Sequence, residues 1–230
     1  MSISDFSFDE GDRTLTQDTK RLKFKNGETV RVSFAWFPKG DDGKYDLSSN
    51  PKFRGANRCW VNGVGYVVAN SPEVASLTGA TPKMSIATVV IVWPTDKNGN
   101  IDKNRMKSGD CDVMPWVFSK RKYSELKALA SEWPFGEHDL KLTCTEAQYQ
   151  QTSQANCREN FLQKLQAKGS DSFAEIMGRV ESIVGNLNHF IGNEYTVDQL
   201  REKMGMAVVS STSTDSTTDE VDDMIDSMLD

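Results

Sequence analysis

The sequence IATVVIVW at residues 86–93 decides the fold class. It is a short apolar run, rich in β-branched residues, and the turn-forming sequence PTDKNGN at residues 94–100 ends it. Such a run predicts a β-strand. A second run, VMPWVF at residues 113–118, predicts another strand. A loop with Lys103, Arg105 and Lys107 separates the two runs.

The sequence SKRKY at residues 119–123 follows the second strand, and a helical pattern begins there. Tyr123, Leu126, Leu129 and Ala130 recur at a spacing of three to four residues, which predicts an amphipathic helix over residues 120–133. Ser119 is the expected N-cap. Two strands, a basic loop and a basic helix start together suggest a platform for a polyanion.

The rest of the chain predicts further strands and then helices. Asn26-Gly27 is a strong turn signal between two alternating segments, so a β-hairpin is expected there. The other expected elements are a strand over 58–69 with a glycine-relieved bend, a short helix at 71–77, a strand at 138–144, an edge strand or linker at 145–155, and helices after residue 156, the last capped by Thr196.

This order predicts an α+β fold, namely a small OB-fold-like β-barrel with C-terminal helices. A Greek-key β-sandwich is the alternative. The expected organisation is an acidic N-terminal arm at 1–19, an OB-like core at 20–155, a helical extension packed on it at 156–205, and a disordered acidic tail at 206–230.

Charge is distributed unevenly along the chain. The net charge is −6, but residues 20–122 hold 18 Lys and Arg against nine Asp and Glu. Residues 206–230 hold seven acidic residues and no Lys or Arg. A basic centre inside an acidic chain suggests a polyanionic partner.

Other classes of protein are disfavoured. There is no apolar run long enough for a membrane span and no signal-peptide pattern, so a cytoplasmic protein is expected. The four cysteines form no Cys-x-x-Cys pair, which favours free thiols and no metal site. Phosphate-binding loops, nucleophile elbows and zinc-protease motifs are missing, so we expect neither an enzyme nor a cofactor.

Basic and aromatic residues interleave through the centre of the chain, as they do where cations follow phosphates and rings stack on bases. Most aromatic residues within the β-runs are expected in the core. The candidate phosphate contacts are Lys23, Lys25, Arg31, Lys52, Arg54, Arg58, Lys103, Arg105, Lys107, Lys120, Arg121 and Lys122. The candidate stacking residues are Phe37, Tyr45, Phe53, Trp60, Trp93 and Tyr123.

The order of features resembles the single-stranded-DNA-binding (helix-destabilising) proteins of T-even-type bacteriophages. ETVRVSFAWFP at residues 28–38 looks like that family's first barrel strand, and VMPWVFSKRKY at 113–123 looks like its strand that runs into a basic helix. Two features differ: only Cys59 stands where the family has its zinc ligands, and residues 1–19 are acidic where the family has a basic arm.

The resemblance implies sequence-independent binding of single-stranded DNA in phage replication and recombination, inside the host cytoplasm. It also implies that the tail recruits a polymerase, helicase loader or recombinase. The tail residues expected to bind such partners are Asp222, Asp223, Met224, Ile225, Asp226, Met228, Leu229 and Asp230.

Two alternatives stay open at this point. The chain could be an assembly module that does not bind DNA, whose acidic tail recruits a partner and whose basic face is merely solvated. It could also bind RNA, because phosphate contacts and stacking serve both nucleic acids.

Overall fold

The computed structural model describes residues 21–96, 100–102, 104–105, 110–169 and 171–206. Within them the chain is an α+β protein, as the sequence predicts. The strands are β1 (Thr29–Phe34), β2 (Arg54–Val61), β3 (Gly65–Val68), β4 (Lys83–Trp93), β5 (Asp112–Ser119), β6 (Leu140–Glu146) and β7 (Gln151–Asn156). The helices are α1 (Pro72–Thr78), α2 (Lys120–Glu132), α3 (Phe161–Lys168), α4 (Asp171–Gly185), α5 (Leu187–Ile191) and α6 (Val197–Lys203).

Strand β4 organises the antiparallel sheet. One edge of β4 pairs with β2 along residues 83–87 and with β1 along residues 90–93, while its other edge pairs with β5 along residues 85–92. Strands β6 and β7 extend the sheet beyond β1, and β3 extends it beyond β2. Residues 85–91 are buried because elements cover both faces of β4, which is why the sequence there is continuously apolar.

The sheet is open between β5 and β7, because no ladder joins these strands within the described residues. The segment before β1 and the start of α2 bridge this gap. The amide of Leu22 donates to the carbonyl of Pro115 at 3.0 Å, and the Lys122 ammonium donates to the carbonyl of Thr152 at 2.7 Å.

One large buried cluster joins the sheet to the helices. Phe34 of β1 stacks on Phe135, with ring centroids 4.4 Å apart, and Leu162, Val180 and Leu187 of the C-terminal helices belong to the same cluster. A second cluster of Val61, Val67, Val74 and Leu200 lies where α1 and α6 meet β2 and β3.

Local signals for turns and caps have mixed outcomes. The predicted N-caps are confirmed, because the Ser119 hydroxyl accepts from Lys122 N and Thr196 forms a capping box with Gln199. The hairpin expected at Asn26-Gly27 is wrong. A turn is present, but β1 pairs with β4 and β6, while the segment before it contacts β5.

The expected bend in a single strand at Asn62-Gly63 is also wrong. Residues 62–64 connect two strands, β2 and β3, that form an antiparallel hairpin. Gly63 has a φ of 79°, which a residue without a side chain adopts at little cost. The turn therefore reverses the chain, and it brings residue 60 opposite residue 66.

Candidate functional site

Large exposed apolar side chains gather in one groove. Among the described residues six such side chains are exposed, and four of them line this groove: Trp60, Tyr66, Met84 and Tyr149. Its volume is about 840 Å³. We call it the aromatic groove. Exposed apolar surface concentrated at one place is typical of a binding site.

Strand alternation places Trp60 in the groove. Its neighbours Cys59 and Val61 are buried, so the side chain of Trp60 points to the opposite face, where it is 58% exposed. Trp60 pairs across the hairpin with Tyr66, and their ring centroids lie 5.0 Å apart in an edge-to-face arrangement. The indole nitrogen donates to Asn62 Oδ1 at 3.2 Å, which fixes the ring further.

Cations lie beside these rings. The Arg58 guanidinium lies 3.8 Å from the centroid of the Tyr66 ring and donates to the carbonyl of Ile191. Lys83 stands opposite Arg58 in the β2–β4 ladder. Burial lowers the pKa of Arg58; Tyr66 acts in the opposite direction, and the charge of the nearby Arg21 adds to the lowering.

No carboxylate of the described residues forms an ion pair with Arg58, Arg21 or Lys83. Arg58 and Lys83 thus line the groove together with the Trp60–Tyr66 pair, Arg21 lies nearby over the Phe190 ring, and no described carboxylate neutralises them. Such a site attracts an anion, and partly desolvated cations interact with it more strongly than solvated ones.

Tyr149 forms the opposite wall, in the turn between β6 and β7, and is 64% exposed. The turn is held by Gln150, whose side-chain amide accepts from Phe24 N at 2.7 Å and donates to Phe24 O at 3.0 Å. Gln150 has a φ of 51°, a left-handed conformation that is unfavourable for a residue with a side chain. These two hydrogen bonds offset that cost and fix the turn beside the groove.

The groove continues past Phe118 and Tyr149 into a second pocket of about 310 Å³. Ser119, Arg121, Lys122 and Thr152 line this second pocket, which lies in the gap between β5 and β7. Grooves that combine cations with stacking rings are suited to an extended polyanion that carries flat groups.

The structure brings a few of the predicted site residues together here. Arg58 and Trp60 lie in the aromatic groove, and Arg121 and Lys122 line the adjoining pocket. Lys120 is exposed at the first residue of α2. The sequence patterns did not identify Tyr66, Met84 and Tyr149 as candidate site residues.

Phe37 and Trp93 cannot stack on a ligand in this structure, which corrects their assignment as stacking residues. Each is only 2% exposed and belongs to the main buried cluster. The Trp93 indole nitrogen donates to Ser33 Oγ at 2.7 Å, so its one polar atom is satisfied inside the core.

Arg31 is also corrected as a phosphate contact, because it is neutralised internally. Its Nε donates to Asp139 Oδ2 at 2.9 Å, and its guanidinium lies 5.1 Å from the ring centroid of Phe161. Asp139 is fully buried and also accepts from the Ser33 hydroxyl. Burial raises the pKa of Asp139 to about 6, although Ser33 and Arg31 act in the opposite direction.

Tyr45, Phe53 and Tyr123 are half-buried and contact other parts of the chain. The Tyr45 hydroxyl and Lys39 both donate to Glu181. The rings of Phe53 and Tyr123 meet edge to face at 5.2 Å, away from the aromatic groove. These three residues are therefore weaker candidates for stacking than Trp60.

The remaining predicted cations lie elsewhere or outside the described residues. Arg54 lies over the Trp36 ring and donates to Asn188, and Arg105 pairs with Asp110. Lys23, Lys25 and Lys52 are exposed. Lys103, Lys107 and the tail residues 222–230 lie outside the described residues.

Comparisons with known proteins do not assign the chain to a class. No family model and no curated protein matches the sequence.

All four cysteines are buried free thiols. Across the part of the chain that the structure describes, no cluster of three or more His, Cys, Asp or Glu side chains could hold a metal ion, and no helix is both long and apolar enough to cross a membrane.

Proposed function

We propose that this protein binds single-stranded DNA in the aromatic groove, without sequence readout and without catalysis. One observation carries the proposal: Trp60 and Tyr66 are exposed as a fixed pair beside Arg58, Arg21 and Lys83, and no described carboxylate pairs with these cations. Rings stack on any base, and cations contact any phosphate, so this arrangement favours sequence-tolerant binding.

We also propose that the fold is an OB-like barrel that side chains complete. Strand β4 pairs with β2 at its start and with β1 at its end, and residues 22–24 with the start of α2 fill the interval between β5 and β7. In OB folds, loops and an open face form a groove for single strands. The aromatic groove lies beside this interval, since the two share Phe118 and Tyr149.

The proposal extends to the tail and to the biological setting. The seven acidic residues of 206–230 compete with DNA for the basic groove, and the Met, Ile and Leu residues near the end recruit replication or recombination partners in the cytoplasm of a phage host. Deleting 206–230 therefore tightens DNA binding most at low salt, where charge competition is least screened. If the full chain and the chain without residues 206–230 bind DNA equally well at low salt, the tail does not compete with DNA.

The direct test of the groove is the substitution Trp60→Ala. Stacking on one base contributes about 1–3 kcal/mol, so the affinity for oligo(dT) should fall roughly five- to 150-fold in fluorescence anisotropy. Trp133→Ala is the matched control, because Trp133 is also exposed but lies against His138, outside the groove. Equal losses in both variants, or none in either, would contradict the proposal. An oligo(U) titration in parallel compares RNA with DNA.

A further inference from the structure

The first turn of α2 has an unusual charge. Helix α2 has 13 residues and begins Lys120-Arg121-Lys122, with no acidic residue in its first turn. The N-terminal end of a helix carries a partial positive charge, so acidic residues are favoured there and basic residues are not. Three cations at this end repel both the helix dipole and one another. A bound anion would relieve that repulsion, and helix N-termini are common phosphate sites.

One residue of the same pocket, Thr152, has a buried hydroxyl without a partner among the described residues. Thr152 is 7% exposed, and its Oγ1 has no hydrogen-bond partner among the described residues. The residue lines the pocket that Ser119, Arg121 and Lys122 also line. Leaving a buried hydroxyl unpaired costs about 1–3 kcal/mol, so such groups are normally satisfied. This hydroxyl indicates a hydrogen-bonding partner that the described residues do not supply.

The internal ion pairs leave the pocket positive. Lys122 is held 2.6 Å from Glu125 Oε2 and also donates to the carbonyl of Thr152. Arg121 contacts the other oxygen of Glu125 at 3.2 Å, but its side chain is 86% exposed and can turn into the pocket at little cost. The hydrogen bond from Lys122, followed by Gln154 and Arg121, keeps the pKa of Glu125 below its usual value. One carboxylate, Glu125, thus faces two cations of the pocket, so a net positive charge remains there.

We propose that the pocket between the N-terminus of α2 and Thr152 of β7 binds one phosphate group of the polynucleotide. Thr152 Oγ1 donates to a phosphate oxygen, Arg121 turns from Glu125 onto the phosphate, and Lys122 provides a fixed charge. This inference rests on the proposed function. The pocket shares Tyr149 with the aromatic groove, so the anchored phosphate lies next to the part of the strand that the groove holds.

The experiment follows the backbone amide resonances of Arg121 and Lys122 in the full chain by NMR. Three probes are titrated: inorganic phosphate, oligo(dT), and an oligo(dT) with an uncharged methylphosphonate backbone. We expect saturable shifts with inorganic phosphate and with oligo(dT), and none at these amides with the uncharged oligomer. Saturation with phosphate but not with oligo(dT) would overturn the assignment to a polynucleotide.

Two variants distinguish a ligand contact from a purely structural role. Thr152→Val should weaken phosphate binding about fivefold, which corresponds to the loss of one hydrogen bond. Arg121→Gln should weaken it as well, whereas Lys127→Gln, on the same helix but outside the pocket, should not. If Thr152→Val only raises the thermal midpoint and leaves phosphate affinity unchanged, the hydroxyl is an unsatisfied core group and the inference fails.

Failure of this inference is distinguishable from failure of the proposed function. If oligo(dT) quenches Trp60 but neither inorganic phosphate nor oligo(dT) shifts the α2 amides, the aromatic groove binds DNA and the pocket beside α2 does not bind phosphate. If oligo(dT) neither quenches Trp60 nor shifts these amides, the DNA-binding proposal itself is wrong, and the phosphate pocket of a polynucleotide falls with it.

Discussion

Arg31 and Arg58, in two regions of the molecule, each lie beside an aromatic ring, and they differ in whether a carboxylate pairs with the arginine. Arg31 lies over Phe161 and is paired with the buried carboxylate of Asp139. Arg58 lies over Tyr66 and has no carboxylate partner among the described residues, while the neighbouring Trp60 is exposed. The first arrangement holds elements of the fold together, and the second leaves charge and aromatic surface for a ligand.

This difference shows that a basic–aromatic pattern does not by itself define a binding site. The deciding features are whether a carboxylate neutralises the cation and whether the ring remains exposed. Asp139 is 108 residues from Arg31 in the sequence, so only the folded chain shows that they pair. Substitutions in the two regions should consequently affect different properties of the protein.

The largest effect is expected from Asp139→Ala. This change leaves the Arg31 guanidinium, 11% exposed, without its counter-charge. Breaking a buried ion pair from one side costs about 3–5 kcal/mol of unfolding free energy. Urea denaturation followed by circular dichroism measures the loss. Arg58→Gln is the control from the other region and should lower the unfolding free energy by less than about 1 kcal/mol. A stable Asp139→Ala variant would mean that Asp139 does not support the fold.

The next effect is a dependence of stability on pH. The pKa of Asp139 is raised to about 6 in the folded chain, from an ordinary value of 3.8. Between these values the folded state retains a proton that the unfolded state has lost. This contribution to stability is therefore fully present below about pH 4 and is lost as pH rises through about 6, by an amount on the order of 2–3 kcal/mol.

Denaturation of the wild type and of Asp139→Asn between pH 4 and 7 measures this dependence. The asparagine variant cannot titrate at this position, so the difference in unfolding free energy between the two proteins should change through this interval. A constant difference would show that Asp139 has the same pKa in both states.

A smaller effect on binding is expected from Arg58→Gln. Losing one phosphate contact lowers the magnitude of the salt dependence of DNA binding, the slope of log K against log salt, by about one. The measurement is oligo(dT) affinity across a series of salt concentrations. Arg58→Lys is the matched variant, since it keeps the charge and should keep the slope. An unchanged slope in Arg58→Gln would show that the DNA phosphates do not contact this arginine.

Local patterns in the sequence predict much of the fold. The apolar runs around β4 and β5, the caps at Ser119 and Thr196, and the α+β class follow from periodicity and turn chemistry that lie within short segments. The pairing partners of β1 do not follow from such local patterns, because the turn at Asn26-Gly27 fits a hairpin equally well. Strand pairing over long separations depends on the whole sheet.

The candidate site could be predicted only in part. Arg58 and Trp60 were recognisable from an alternating basic and aromatic strand. Tyr149 lies in a glutamine-rich turn without apolar neighbours, and its position depends on hydrogen bonds between Gln150 and Phe24, 126 residues away. The unpartnered hydroxyl of Thr152 has no signal in the sequence at all, since only the folded chain shows which polar groups lack partners.

We expect single-stranded DNA to bind in the aromatic groove and not at another exposed aromatic surface. Titration with oligo(dT) under tryptophan fluorescence tests it directly, using the wild type, Trp60→Phe and Trp133→Phe. We expect strong quenching in the wild type and in Trp133→Phe and the loss of most of the quenching in Trp60→Phe, because Trp60 is the tryptophan in the groove. Full quenching in Trp60→Phe, or no quenching in the wild type, would contradict it.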